Sequence, residues 1–162
     1  ALAVSGLLSP KQHGPSVMPS QPAGVWKNPY NGQQWILATG EDQYRRAIYT
    51  YWRRTNPYPA MAMFDAPSRE FCISRRIRTN TPLQALVTLN DPAFWEAAQA
   101  LATNMQAGKR TLNEQIVAGY RMALARDPDP QTLATLVELA EQTTLPIVAN
   151  TILNLDEYLT KE

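Results

Sequence analysis

Cysteine, histidine and lysine are nearly absent from this chain, which has one Cys, one His and only four Lys among 162 residues. A lone Cys72 excludes an internal disulfide. Together with the lone His13 it cannot assemble any of the usual zinc ligand sets. A Cys72–His13 nucleophile pair rests on two residues 59 positions apart, and a small thiol and a surface imidazole are the simpler reading. No Cys-x-x-Cys-His for covalent haem and no glycine-rich phosphate loop occur. No apolar run approaches the ~18 residues that a membrane-spanning helix needs. The N-terminus lacks the basic region and the apolar length of a signal peptide. Scarce lysine, a pI near 8.1 and the lack of a reading motif argue against nucleic acid as a partner.

What is present is arginine, proline and aromatic residues, unevenly placed. A chain of this length fits one domain, and folding should bury roughly 70% of the surface that the unfolded chain exposes. The net charge of +1 conceals an asymmetry. Residues 45–78 hold eight arginines against Asp65 and Glu70, or +6, and residues 111–162 hold three basic residues against eight acids, or −5. The simplest expectation is that the two halves complement each other, with an external anionic partner as the alternative.

The pattern predicts a mainly α (α+β) fold. Residues 1–8 read as the last turns of a helix that starts upstream, so the chain is expected to be the C-terminal part of a longer polypeptide. Residues 9–32 mix Pro, Gly, Ser and Asn without a period and predict an extended, surface-hugging loop. In the arginine-rich segment 33–78, the β-prone runs Gln34–Ala38 and Arg46–Arg53, separated by Thr39-Gly-Glu-Asp, predict an antiparallel hairpin. Met61–Asp65 and Phe71–Ser74 are candidates for further extended segments. Residues 79–162 predict a bundle of five helices. Their starts are Thr81-Pro82, with Leu83, Leu86 and Val87 as apolar face; Asp91-Pro92; a Thr111…Glu114 capping box; and Asp129-Pro130. The last helix carries the stripe Val148, Ile152, Leu155 and Leu159.

The arginines are the best candidates for function. Arg75, Arg76 and Arg78 lead into Thr79-Asn80-Thr81 and a helix N-terminus, where guanidinium forks, Asn80 and free N–H groups suit a carboxylate, phosphate or sulfate. Arg45, Arg46, Arg53 and Arg54, interleaved with Tyr51 and Trp52, could hold planar or sugar-like ligands by stacking. Asp65 is the candidate acid or base, set against the plainer role of capping a turn and pairing with Arg69 or Arg76. The competing reading of the arginines is a scaffold that binds loop carbonyls.

Several motifs stand in order: Gly14-Pro-Ser-Val, Gln21-Pro, Gly24-Val-Trp26, Tyr44-Arg-Arg-Ala-Ile-Tyr-Thr-Tyr-Trp-Arg-Arg54, Phe64-Asp-Ala-Pro67, Arg78-Thr-Asn-Thr-Pro-Leu-Gln-Ala-Leu86, Asn90-Asp-Pro92, Leu124-Ala-Arg126 and Leu153-Asn-Leu-Asp-Glu-Tyr158. Together they resemble the C-terminal uncharacterised domain of large planctomycete cytochrome-c-like proteins, over nearly the whole chain. The resemblance implies a periplasmic or extracellular setting, in which this domain closes a secreted polypeptide behind a cytochrome-c-like domain. It implies no catalytic residue and no cofactor in this chain, any haem belonging to an upstream domain or partner. The leading expectation is a non-catalytic structural or interaction module docking on neighbouring domains or subunits. The alternative is an enzyme or binding domain for an anionic or carbohydrate ligand.

Overall fold

The computed structural model of the chain describes residues 1–26, 32–75, 77, 79–108 and 111–160. Two compact units emerge, a helical one (residues 1–7, 88–90 and 94–162) and a loop-rich one (8–87 and 91–93). The helices are α1 (Leu2–Ser5), α2 (Pro59–Met63), α3 (Pro82–Asn90), α4 (Pro92–Gln106), α5 (Leu112–Leu124), α6 (Pro130–Gln142), α7 (Leu145–Leu153) and α8 (Asp156–Leu159).

The helical unit is built from the capping chemistry that the sequence carries. Thr111 Oγ1 accepts from the Glu114 N–H at 3.4 Å, and the Glu114 carboxylate accepts from the Thr111 N–H at 2.8 Å, which starts α5. Asp129 accepts from the N–H groups of Gln131 and Thr132, both at 3.0 Å, ahead of Pro130 at the start of α6. The core consists of Ala98, Leu101, Ala102 and Met105 from α4, Ile116 and Tyr120 from α5, Leu136 from α6, and Val148, Ala149, Ile152 and Leu153 from α7. Within α4, α5 and α7 these residues recur three and four positions apart, the spacing of one helix face. Gly119 permits close packing inside this core, since a Cβ there would lie 2.6 Å from Met105 Sδ.

The expected last helix is broken in two. Asn154 ends α7, with its side-chain Nδ2 donating to the Asn150 carbonyl at 2.8 Å and its backbone N–H reaching back only to Thr151 at 3.0 Å. The amide thus takes up a terminal carbonyl that another helical turn would have used. Leu155 then initiates the separate short α8.

In the loop-rich unit the predicted hairpin is not formed. Among the described residues there is no strand, only an isolated parallel bridge between Val17 and Thr50. Gly40–Tyr44 and Ala47–Tyr49 are 3-10 turns. The physical reason lies in the 9–26 loop. Its prolines remove N–H donors and leave carbonyls in excess. Residues 35–58 supply the missing donors: Tyr51 N–H to Val17, Ala38 N–H to Met18, Trp35 Nε1 to Pro19, Tyr58 OH to Ser20 and Asn56 Nδ2 to Val25, at 2.6–2.9 Å. The residues expected to pair with each other pair with the loop instead. The extended segment expected at Met61–Asp65 is also replaced, by α2, which has Pro59 in its first turn. No strand forms at Phe71–Ser74 either.

Candidate functional site

Arg45 sits at the centre of the loop-rich unit, 5% exposed. His13 and Gly14, both left-handed with φ of 63° and 90°, turn the chain so that the carbonyls of Lys11, His13 and Pro15 converge on the guanidinium. The ring of Tyr49 lies 3.7 Å from its Cζ, and the Tyr49 hydroxyl accepts from the His13 N–H at 2.8 Å. A planar fork with several donors matches three converging carbonyls as an ammonium cannot. This arginine is a structural clamp on the loop.

Other arginines meet rings of the chain itself. Arg53 lies 5.4 Å from the centroid of Trp26, and Arg69 lies 5.3 Å from that of Trp52. Trp26, Trp35, Tyr51 and Tyr58 form a cluster, with Trp35 stacked on Tyr58 at 5.9 Å and Trp26 tilted against Trp35 at 5.2 Å. Tyr51 also donates to Gln33 Oε1 at 3.2 Å. Burial, helped by the nearby Asp91 carboxylate, pushes the Tyr58 hydroxyl up to about 12. The indole nitrogens of Trp26 and Trp52 are buried without a hydrogen-bond partner among the described residues.

Asp65 organises a second cluster. It adopts a left-handed backbone with φ of 56°. Its Oδ2 accepts from the Thr79 N–H at 2.7 Å, from Thr79 Oγ1 at 2.8 Å and from Gln84 Nε2 at 3.4 Å. The buried Gln84 also donates to the Met63 carbonyl at 2.8 Å and to Thr79 Oγ1 at 3.1 Å, while its Oε1 accepts from the Thr81 N–H at 3.0 Å. One carboxylate thus closes the chain from Asp65 to Thr79 into a loop, and the same knot caps α3. These are the bonds of a turn cap; of the two arginines expected to pair with Asp65, Arg69 lies over Trp52 and Arg76 falls outside the described residues.

The remaining candidates are dispersed. Arg46, Arg54, Arg75 and Asn80 are exposed, and Arg53, Tyr51 and Trp52 are half-buried. Arg76 and Arg78 lie outside the described residues. Sequence reasoning set Thr79 beside the arginines rather than on Asp65 and missed Gln84, whose signal was a Thr81…Gln84 capping-box spacing. In the helical unit, Tyr120 donates to Glu157, which also receives Arg126. Burial and that hydrogen bond push Tyr120 up to about 12, and the same two partners hold Glu157 below the usual carboxylate range. Among the described residues, no group of three or more His, Cys, Asp or Glu is placed to hold a metal ion, and no helix is long and apolar enough to cross a membrane.

The profile of PSD1, described as a protein of unknown function (DUF1553), matches residues 1–140. Comparison with the curated proteins and with the solved structures found no match.

Proposed function

The chain belongs to this PSD1 family of unknown function, and from that premise we propose that it is a non-catalytic structural and interaction module. The observation that carries the reading is the use of Arg45. Arg45, buried at 5% exposure, holds the carbonyls of Lys11, His13 and Pro15. Asp65, the candidate acid or base, is engaged by Thr79 and Gln84 in a way that fixes a loop. Both residues thus have roles inside the fold, which supports the module reading. At the same time the loop-rich unit displays large apolar side chains, as interaction surfaces do.

The finer proposal follows the resemblance to the C-terminal domain of planctomycete cytochrome-c-like proteins. On that reading the module belongs to an exported multidomain protein, in the periplasm or outside the cell, and docks on neighbouring domains or subunits of an assembly associated with electron transfer. Any haem sits on those neighbours. The test is a denaturing gel of natively purified material, stained for haem and followed by peptide mass mapping. A large haem-positive band containing these peptides is the expected result. A haem-negative band near 18 kDa that migrates alone in native gels would remove both the cytochrome association and the docking role.

The alternative, a binding domain for an anionic or carbohydrate ligand, draws on the buried indole nitrogens of Trp26 and Trp52, which have no partner among the described residues. A ligand reaching them would change the intrinsic tryptophan fluorescence. A titration with sulfated and neutral oligosaccharides that leaves the emission unchanged would remove this reading.

A further inference from the structure

The loop-rich unit shows its large apolar side chains to solvent where a folded domain ordinarily hides them. The loop between Asp65 and Thr79 is pinned at its base by the Asp65–Thr79 bonds at 2.7 and 2.8 Å. Every described residue from Pro67 onward in that loop is exposed, including Phe71 at 70% and Ile77 at 78%. Directly after it, α3 is inverted: Leu83 and Leu86, one turn apart, are 59% and 55% exposed, while Gln84 on another face is 4% exposed. Scattered apolar residues need no explanation, but Phe71, Ile73, Ile77, Leu83 and Leu86, all exposed within one short stretch of chain, point to a surface that something else covers.

The charge on this surface narrows the occupant. Among the described residues, Arg69 and Arg75 are exposed on the loop. Of the loop's two acids, Asp65 is tied to Thr79 and Gln84, which leaves Glu70. Arg75 makes no ion pair with the described residues. Forked guanidinium groups match carboxylates better than an ammonium does, and the cations here are all arginine. A lipid surface fits less well, since α3 carries no basic residue and the loop is not an amphipathic helix.

We propose that the described residues of the Asp65–Thr79 loop and the outward face of α3 form a docking surface for an acidic, apolar segment of a partner protein. This rests on the interaction-module reading and supplies the chemistry of its partner. Phe71, Ile77, Leu83 and Leu86 give the contact area, and the loop arginines set orientation and association rate.

The probe is a fluorescein-labelled helical peptide with leucine on one face and glutamate on the other, followed by anisotropy against the whole chain. Binding that weakens with added salt is expected. Peptides with glutamine for glutamate, or serine for leucine, should bind at least about tenfold more weakly. Binding should also slow maleimide alkylation of Cys72, the chain's one cysteine, which is exposed on the loop. The double variants Phe71→Ser/Ile77→Ser and Leu83→Ser/Leu86→Ser should keep the parent circular dichroism and melting temperature and lose roughly tenfold in affinity. Arg69→Gln/Arg75→Gln should flatten the salt dependence.

Several results would overturn the proposal. One is peptide binding that neither apolar variant weakens, and another is a fall in melting temperature showing that these side chains support the fold. Tighter binding to phosphatidylglycerol vesicles than to the peptide would make the occupant a membrane. Self-association abolished by the same variants would make it a second copy. Each of these removes this site and leaves the module reading standing, whereas that reading fails separately if the natively purified chain has no partner.

Discussion

The guanidinium of Arg45 reaches three carbonyls of a proline-bearing loop and the face of Tyr49, and each contact depends on its planar fork. An ammonium has three donors but they radiate from one point, without the planar spread that spans these carbonyls while stacking on Tyr49. Arg45→Lys is therefore expected to destabilise the loop-rich unit by roughly 2 kcal/mol. Hydrogen exchange checks this, because the Ser9 and Val17 amides, bonded to Tyr44 and Tyr49, should lose protection. Unchanged protection would mean that the clamp contributes nothing. Gly119 makes the opposite kind of demand, for emptiness. A Cβ there would meet three atoms of the fully buried Met105 within 2.9 Å. Gly119→Val should cost about 1–3 kcal/mol by overpacking, read as a lower urea midpoint. Neither role was legible from residue type. Arginine beside tyrosine fits a ligand site and a clamp equally, and the carbonyls that decide between them lie about 30 residues away in sequence.

Helix starts were legible because capping is local chemistry. Thr81, Thr111 and Asp129 each have their partner within three residues, so spacing alone identifies them. Helix ends were less legible. The α7–α8 break depends on an asparagine side chain competing for a carbonyl one turn back, which the continuing apolar stripe concealed. The end of α5 shows a related device: Ala125 takes the C-cap in a left-handed conformation, φ 58° and ψ 22°, where glycine is ordinarily used. Ala125→Gly should relieve that strain and stabilise the helical unit by about 0.5–1 kcal/mol, measured as a higher melting temperature. A lower melting temperature would show that unfolded-state entropy outweighs the strain. A buried polar relay also joins elements within the helical unit: Thr88 donates to Asn154 Oδ1, Asn154 Nδ2 to Asn150 Oδ1 at 3.0 Å, and Asn150 Nδ2 to the Leu89 carbonyl at 3.4 Å. Asn154→Leu removes its middle and should cost about 1–3 kcal/mol in a chemical denaturation curve.

At the scale of the whole chain, charge sets the pH range of stability. Glu157, Asp127 and Asp129 are held below their ordinary values of 4.5 and 3.8, respectively by Tyr120 with Arg126, by Arg121, and by Thr132. A depressed carboxylate contributes fully above its unfolded value and loses that contribution as pH falls through the folded one. Tyr58 and Tyr120, raised from 10.0 to about 12, contribute below pH 10 and lose that contribution between 10 and 12. Melting temperature should therefore fall below about pH 4.5 and again above pH 10. Acid loss should be smaller in Glu157→Gln, and an unchanged acid limb would show that this carboxylate is not part of it. The sequence by itself determined where the helices of the helical half start, because caps act within a turn and a 3.6-residue apolar period marks the face to bury. It also determined membership of a family, carried by ordered motifs. Only the tertiary structure decided the loop-rich half. There the partners of Arg45, Trp35 and Tyr58 are carbonyls of a proline-bearing loop, remote in sequence and without periodicity. Only the tertiary structure, too, turned Leu83 and Leu86 outward, because Gln84 was drawn in by Asp65, Thr79 and the Met63 carbonyl.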